Sequence, residues 1–209
     1  MNDTILIVDD SPYIVDGLVA LLKRKGFNPL ASHGGDEALA ILQDTRPDLI
    51  LLDIMMEPMD GWETLEKIKA NPATKDLPVL MFSAKKISPE EAKEHSLNIE
   101  DFVSKPVNPA QLLDAINRVI ERRRDVGLEA VVARDAGLDP VLIEEYSQLR
   151  KSIEVDTNLL AVLKRSSAIN RPGSEVPAED LAAISRLEEK VRVDEVRIRE
   201  INGKFTKAM

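Results

Sequence analysis

The chain has 209 residues, 44% of them apolar, 3% aromatic and 31% charged, with a formal net charge of −9 and no cysteine. That length suits a domain of about 120 to 130 residues plus a smaller module, and the apolar fraction is enough for a buried, mostly aliphatic core. The acidic balance argues against gripping nucleic acid through bulk positive charge, and the lack of cysteine removes disulfides, thiolate catalysis and Cys-ligated zinc.

In chain order, strand-like and helix-like segments alternate from the start to about residue 124. The N-terminus runs directly into the apolar run Ile5–Val8, a continuous stretch that reads as a strand covered on both faces. Ser11 and Pro12 then offer an N-cap and an N1 proline, Ile14, Leu18, Leu21 and Leu22 recur at helical spacing, and Gly26 stops the segment. A weak strand near Phe27–Ala31 leads to a helix carrying Ala38, Leu39, Ile41 and Leu42, and then to a third strand ending at Asp53. Asp60-Gly61 punctuates the loop before a helix with Trp62, Leu65 and Ile68. A fourth strand ends at Ser83, a polar helix is expected around Pro89–Ser96, and a fifth strand ends before Lys105. A helix with Leu112, Leu113, Ile116, Val119 and Ile120 closes the series.

Alternating βα units imply a parallel sheet with right-handed crossovers and helices on both faces. The fold class expected is α/β, a five-stranded flavodoxin-like sheet in the order 2-1-3-4-5, followed by an all-α hairpin. In such a sheet the carboxyl ends of the strands share one crevice, so Asp9, Asp10, Asp53, Ser83 and Lys105 should converge there. Crowded carboxylates repel one another, and a divalent cation relieves the repulsion. Oxygen-only donors and an open position favour Mg²⁺, with Asp10 and Asp53 as carboxylate ligands and Asp9 acting through water. A carboxylate can attack phosphorus, leaving the protein mainly positioning and charge neutralisation to supply. A lone aspartate at a strand end is usually solvated or caps a helix; four such motifs in order carry the reading.

The segments "ILIVDD", "LLDIMMEPMDG", "MFSAK" and "FVSKP" resemble the receiver domain of two-component response regulators over residues 1 to about 124. The resemblance implies that Asp53 accepts a phosphoryl group from a sensor histidine kinase, that Asp9 and Asp10 form the acid pair, and that the Met55 backbone carbonyl is a third Mg²⁺ ligand. It further implies that Ser83 and Lys105 bind the phosphoryl group, that Lys105–Pro106 is a cis peptide, and that Phe102 is the switching aromatic, turned inward in the active state. Ser83 would move toward the phosphoryl group, and the surface around the fifth strand and its flanking helices would change with it. One departure stands out: where the family usually has proline four residues after the acceptor, this chain has Glu57, and the proline is Pro58. His33 and His95 are expected at the surface, Met55, Met56 and Met59 in loop packing. The basic run at 121–124 is expected at a helix C-terminus or, alternatively, in a dimer interface.

Residues 125–138 read as a linker, with Gly127 and Gly137 around a short apolar stretch, and residues 139–209 as a helical hairpin for output or dimerisation. Asp139-Pro140 opens a first helix with a seam of Leu142, Tyr146, Leu149, Ile153, Leu160 and Leu163. Pro177 opens a second, with Ile184, Leu187, Val191, Ile198 and Ile201, ended by Asn202-Gly203. So thin a hairpin should pack on the receiver or pair with a second copy. Asp156 and Asp194 interrupt the seams, and antiparallel packing is expected to bring Asp194 near Arg150. Residues 125–209 hold 13 Lys and Arg against 16 Asp and Glu, and long helices across a long loop are unlike a helix-turn-helix. A homodimer or protein partner is therefore favoured over DNA, which stays the alternative. No stretch reaches the ~18 apolar residues that a membrane span needs, and a cytoplasmic protein without a membrane partner is expected.

Overall fold

The computed structural model describes residues 2–84, 95, 98–106, 108–169 and 178–208. Five strands, β1 (Thr4–Val8), β2 (Asn28–Ser32), β3 (Leu49–Leu52), β4 (Val79–Ser83) and β5 (Asp101–Ser104), form one parallel sheet in the order β2-β1-β3-β4-β5. The described helices are α1 (Pro12–Arg24), α2 (Gly35–Asp44), α3 (Gly61–Ala70), α4 (Pro109–Asp135), α5 (Pro140–Ile169) and α6 (Ala178–Ala208). The polar helix expected around Pro89–Ser96 lies, apart from His95, outside the described residues, as does Pro177.

The sheet is buried on both faces, which is why its strands read as unbroken apolar runs. Ile5, Ile7, Leu49, Leu51, Leu80 and Phe82 point to one side, where Val15, Leu18 and Leu22 of α1 and Leu112, Ile116 and Val119 of α4 cover them. Leu6, Ile50, Leu52 and Met81 alternate to the other side, and Ala38, Leu42, Leu65 and Ile68 of α2 and α3 are buried as well. Helix α1 begins at Pro12 as the sequence suggests, yet Ser11 makes no side-chain capping bond. Its end is a Schellman turn: Gly26, at φ 88°, donates to Lys23 and Phe27 donates to Leu22.

The chain divides into two compact units, and the boundary falls inside α4, between Ile120 and Glu121. The stretch expected to be a linker is thus helical as far as Asp135. A single glycine costs a helix only about 1 kcal/mol relative to alanine, so Gly127 does not break it. The true stop is Gly137, at φ 76°, where Gly137 donates to Arg134 and Leu138 to Ala133 in a second Schellman turn. The basic run at 121–124 therefore lies mid-helix, not at a C-terminus. Arg122 is buried and pairs with Glu154 of α5 at 2.8 Å.

Within the second unit α5 and α6 pack antiparallel. Glu145 pairs with Arg197 at 2.7 Å, Asp156 with Lys190, and Lys164 with Glu188 at 2.6 Å, so numbers rise along α5 as they fall along α6. Glu145 first, and then Glu200, hold the Arg197 guanidinium above its ordinary pKa. The expected Asp194–Arg150 approach is not the one formed. Arg150 reaches Glu129 at 3.5 Å and the Tyr146 hydroxyl at 3.1 Å, while Asp194 accepts from Ser152 at 2.9 Å. Helix α6 also continues through Asn202 and Gly203 to Ala208. Gly203 has no positive φ, so it does not form the left-handed cap that would end the helix. His33 is exposed, whereas His95, expected at the surface, is buried.

Candidate functional site

Strand register brings the candidate residues to one edge of the sheet. Val8 lies beside Leu52 and Ser83 beside Ser104, so Asp9, Asp53 and Lys105 leave their strands next to one another with Ser83 at the end of β4. Backbone bonds continue the ladder one step beyond the strands: Asp53 donates to the Val8 carbonyl at 2.9 Å and Lys105 to the Ser83 carbonyl at 2.8 Å.

The side chains then meet. Lys105 Nζ lies 2.5 Å from Asp9 Oδ2 and 2.7 Å from Asp53 Oδ2, although the partners are 96 and 52 residues away in sequence. All three are largely buried, with side-chain exposures of 15% for Lys105, 2% for Asp9 and 8% for Asp53. In so dry a setting the ammonium offsets a repulsion between carboxylates that solvent would not screen. Each acid is also fixed from below, since Asp9 Oδ1 accepts from the Ser11 amide at 2.9 Å and Asp53 Oδ1 from the Met55 amide at 3.1 Å. Asp10 is exposed, and its Oδ2 accepts from the Glu57 amide at 3.2 Å. Ser83 and Phe102 are buried. The Lys105–Pro106 peptide is cis.

Three features escaped the sequence reading. The Lys105 ammonium sits 4.6 Å from the centroid of the Phe82 ring, so an aromatic face supports the cation opposite its acids. Glu57–Pro58 is a second cis peptide. Gly61 lies against Asp53, and a Cβ built there would come within 2.0 Å of its carbonyl oxygen. The Asp60-Gly61 pair read as a turn signal; it also caps α3, because Asp60 accepts from the Glu63 amide at 2.8 Å. Met56 and Met59 are buried in the loop, while Met55 is 58% exposed.

Among the described residues no three or more acidic or imidazole side chains are gathered closely enough to hold a metal ion by themselves. Mg²⁺ commonly takes only one or two protein carboxylates and keeps several waters. The side-chain donors of Asp9, Asp10, Asp53 and Ser83 are hard oxygens, and the Met55 amide bond to Asp53 keeps that backbone beside the Asp53 carboxylate. The residues present therefore fit the ion.

Residues 5–117 match the response regulator receiver domain, and residues 122–209 match the family described as Metanogen output domain 2. Protein PilG of Pseudomonas aeruginosa is 37% identical over 112 residues, which cover 54% of this chain and 83% of that protein. The phosphate regulon transcriptional regulatory protein PhoB of Escherichia coli is 30% identical over 67% of this chain, which spans only 62% of PhoB's length. The crystallised chemotaxis protein CheY4 of Vibrio cholerae is 32% identical, with a TM-score of 0.54 over 57% of this chain and 99% of that one. Family match, sheet order and the convergence at the strand ends agree: the chain belongs to the response regulator receiver domain family, with a C-terminal output domain.

Proposed function

We propose that the protein accepts a phosphoryl group on Asp53 from the phosphohistidine of a sensor histidine kinase and uses it to switch its helical output region. Receiver domains interact with such kinases and typically bind Mg²⁺ at the phosphorylation site. The observation that carries the reading for this chain is the Lys105 ammonium shared between Asp9 and Asp53 at 2.5 and 2.7 Å. An Asp53 carboxylate oxygen attacks phosphorus, the P–N bond breaks, and its electron pair returns to the imidazole nitrogen. Lys105 neutralises charge on the phosphoryl oxygens, and the Ser83 hydroxyl donates to one of them. Asp10, Asp53 and the Met55 carbonyl would hold Mg²⁺, with Asp9 acting through water, and the ion would supply further positive charge at the phosphoryl oxygens.

Phosphorylation then favours one of two pre-existing conformations. Ser83 moves toward the phosphoryl group, and Phe102 is held inward behind it. The output follows as dimerisation or partner binding by the helices, with no catalytic chemistry beyond the receiver's own aspartyl phosphorylation and dephosphorylation, in a cytoplasmic protein. DNA binding is the weaker reading, because α5 and α6 have 30 and 31 residues, far longer than the helices of a helix-turn-helix. Asp53→Asn is expected to abolish labelling by a radioactive acyl phosphate in the presence of Mg²⁺. A variant that still takes up label at the wild-type level refutes the acceptor assignment.

A further inference from the structure

Among the described residues, the amide of Glu57 is the one backbone group that donates a hydrogen bond to the Asp10 side chain. Asp10 is otherwise the least tethered of the acids, exposed where Asp9 and Asp53 are buried and outside the ion pairs that fix those two. An exposed aspartate samples several rotamers, and binding a cation must freeze one of them. The bond at 3.2 Å ties up Oδ2 and selects a rotamer, leaving Oδ1 as the free donor. A proline at position 57, as the family resemblance leads one to expect, has no N–H and could not make this bond.

We propose that Glu57 is a positioning residue for the divalent-cation site, acting through its backbone N–H on Asp10 rather than through its carboxylate. This rests on the Mg²⁺ assignment above. Glu57 is an exposed residue, and the group it sets against Asp10 is its backbone amide. A hydrogen bond to a charged acceptor is of a strength that makes its loss roughly a five- to tenfold weakening at an exposed site.

The test is Mg²⁺ titration of the full chain by calorimetry, comparing wild type with Glu57→Gln, Glu57→Ala and Glu57→Pro. Gln and Ala keep the N–H and remove the charge, and their dissociation constants should stay within about threefold of wild type, the range expected of one exposed charge. Pro removes the N–H and should weaken binding about five- to tenfold. Equal affinities for Pro and Ala overturn the proposal, and so does a loss that is already complete in Gln. Should wild type bind no Mg²⁺, the site assignment itself fails, a distinct outcome. Because proline could disturb the loop, a second measurement follows the Glu57 amide resonance in Asp10→Ala. Loss of its hydrogen-bond shift and exchange protection is expected, and an unmoved resonance overturns the clamp.

Discussion

Each of the two units contains a lysine set against two aspartates, and the two arrangements do opposite things with similar groups. In the sheet unit Lys105 joins Asp9 and Asp53, which arrive on separate strand ends. In the helical unit Lys190 joins Asp156 and, at 3.8 Å, Asp194, with Ser152 Oγ 2.6 Å from the ammonium. There the acids stand in the middle of regular helices, Asp156 is completely buried, and its Oδ1 has no hydrogen-bond partner among the described residues. On the function proposed above, the same charges serve chemistry at the strand ends and structure where helix faces close over them. Geometry of access, more than charge count, separates a site from a staple.

The sharpest way to break this comparison is to neutralise each lysine in turn. Lys105→Met should slow phosphoryl uptake from an acyl phosphate by roughly 100-fold, the usual effect of losing one charge-stabilising donor, as read from single-turnover labelling. Any destabilisation of the sheet unit should be largely recovered by millimolar Mg²⁺, because another cation can approach the same carboxylates. Lys190→Met should leave initial labelling within twofold, as expected for a group outside the receiver unit, while costing about 3 kcal/mol in urea unfolding by stranding a buried carboxylate. Mg²⁺ should not restore it, and Asp156→Leu combined with Lys190→Met should regain most of the loss. If Lys190→Met unfolds at the wild-type urea concentration, the staple reading is wrong. A smaller effect, about 2 kcal/mol, is expected for Gly61→Ala, whose methyl must displace the Asp53 carbonyl. Its unfolding midpoint and its labelling rate should fall together, whereas unchanged labelling would show that the acceptor tolerates the push.

Much of the sheet unit was legible in the sequence because a doubly covered strand leaves a plain mark, a run such as Ile5–Val8 or Leu49–Leu52 with a polar residue at its carboxyl end. Asp9, Asp53, Ser83 and Lys105 stand at such ends, so topology alone predicts that they meet. The helical unit is harder to read. A helical seam fixes which face is buried but not which residue of one helix lies beside which of the other, and the offset chosen pairs Asp156 with Lys190 rather than Asp194 with Arg150. Gly127 read as a breaker although its backbone stays helical, and only Gly137, with positive φ, ends α4. The Glu57 amide and the burial of His95 are tertiary facts, invisible to any local pattern.

Phe82 belongs to the packed interior with Ile7, Leu51, Leu80 and Ile116, and its ring is also the floor beneath the Lys105 ammonium. Interior and chemistry thus share a wall. Repacking at Ile116, in the same buried cluster, is therefore expected to shift that ring and the cation resting on it, so that residues which never see solvent gain a handle on the site.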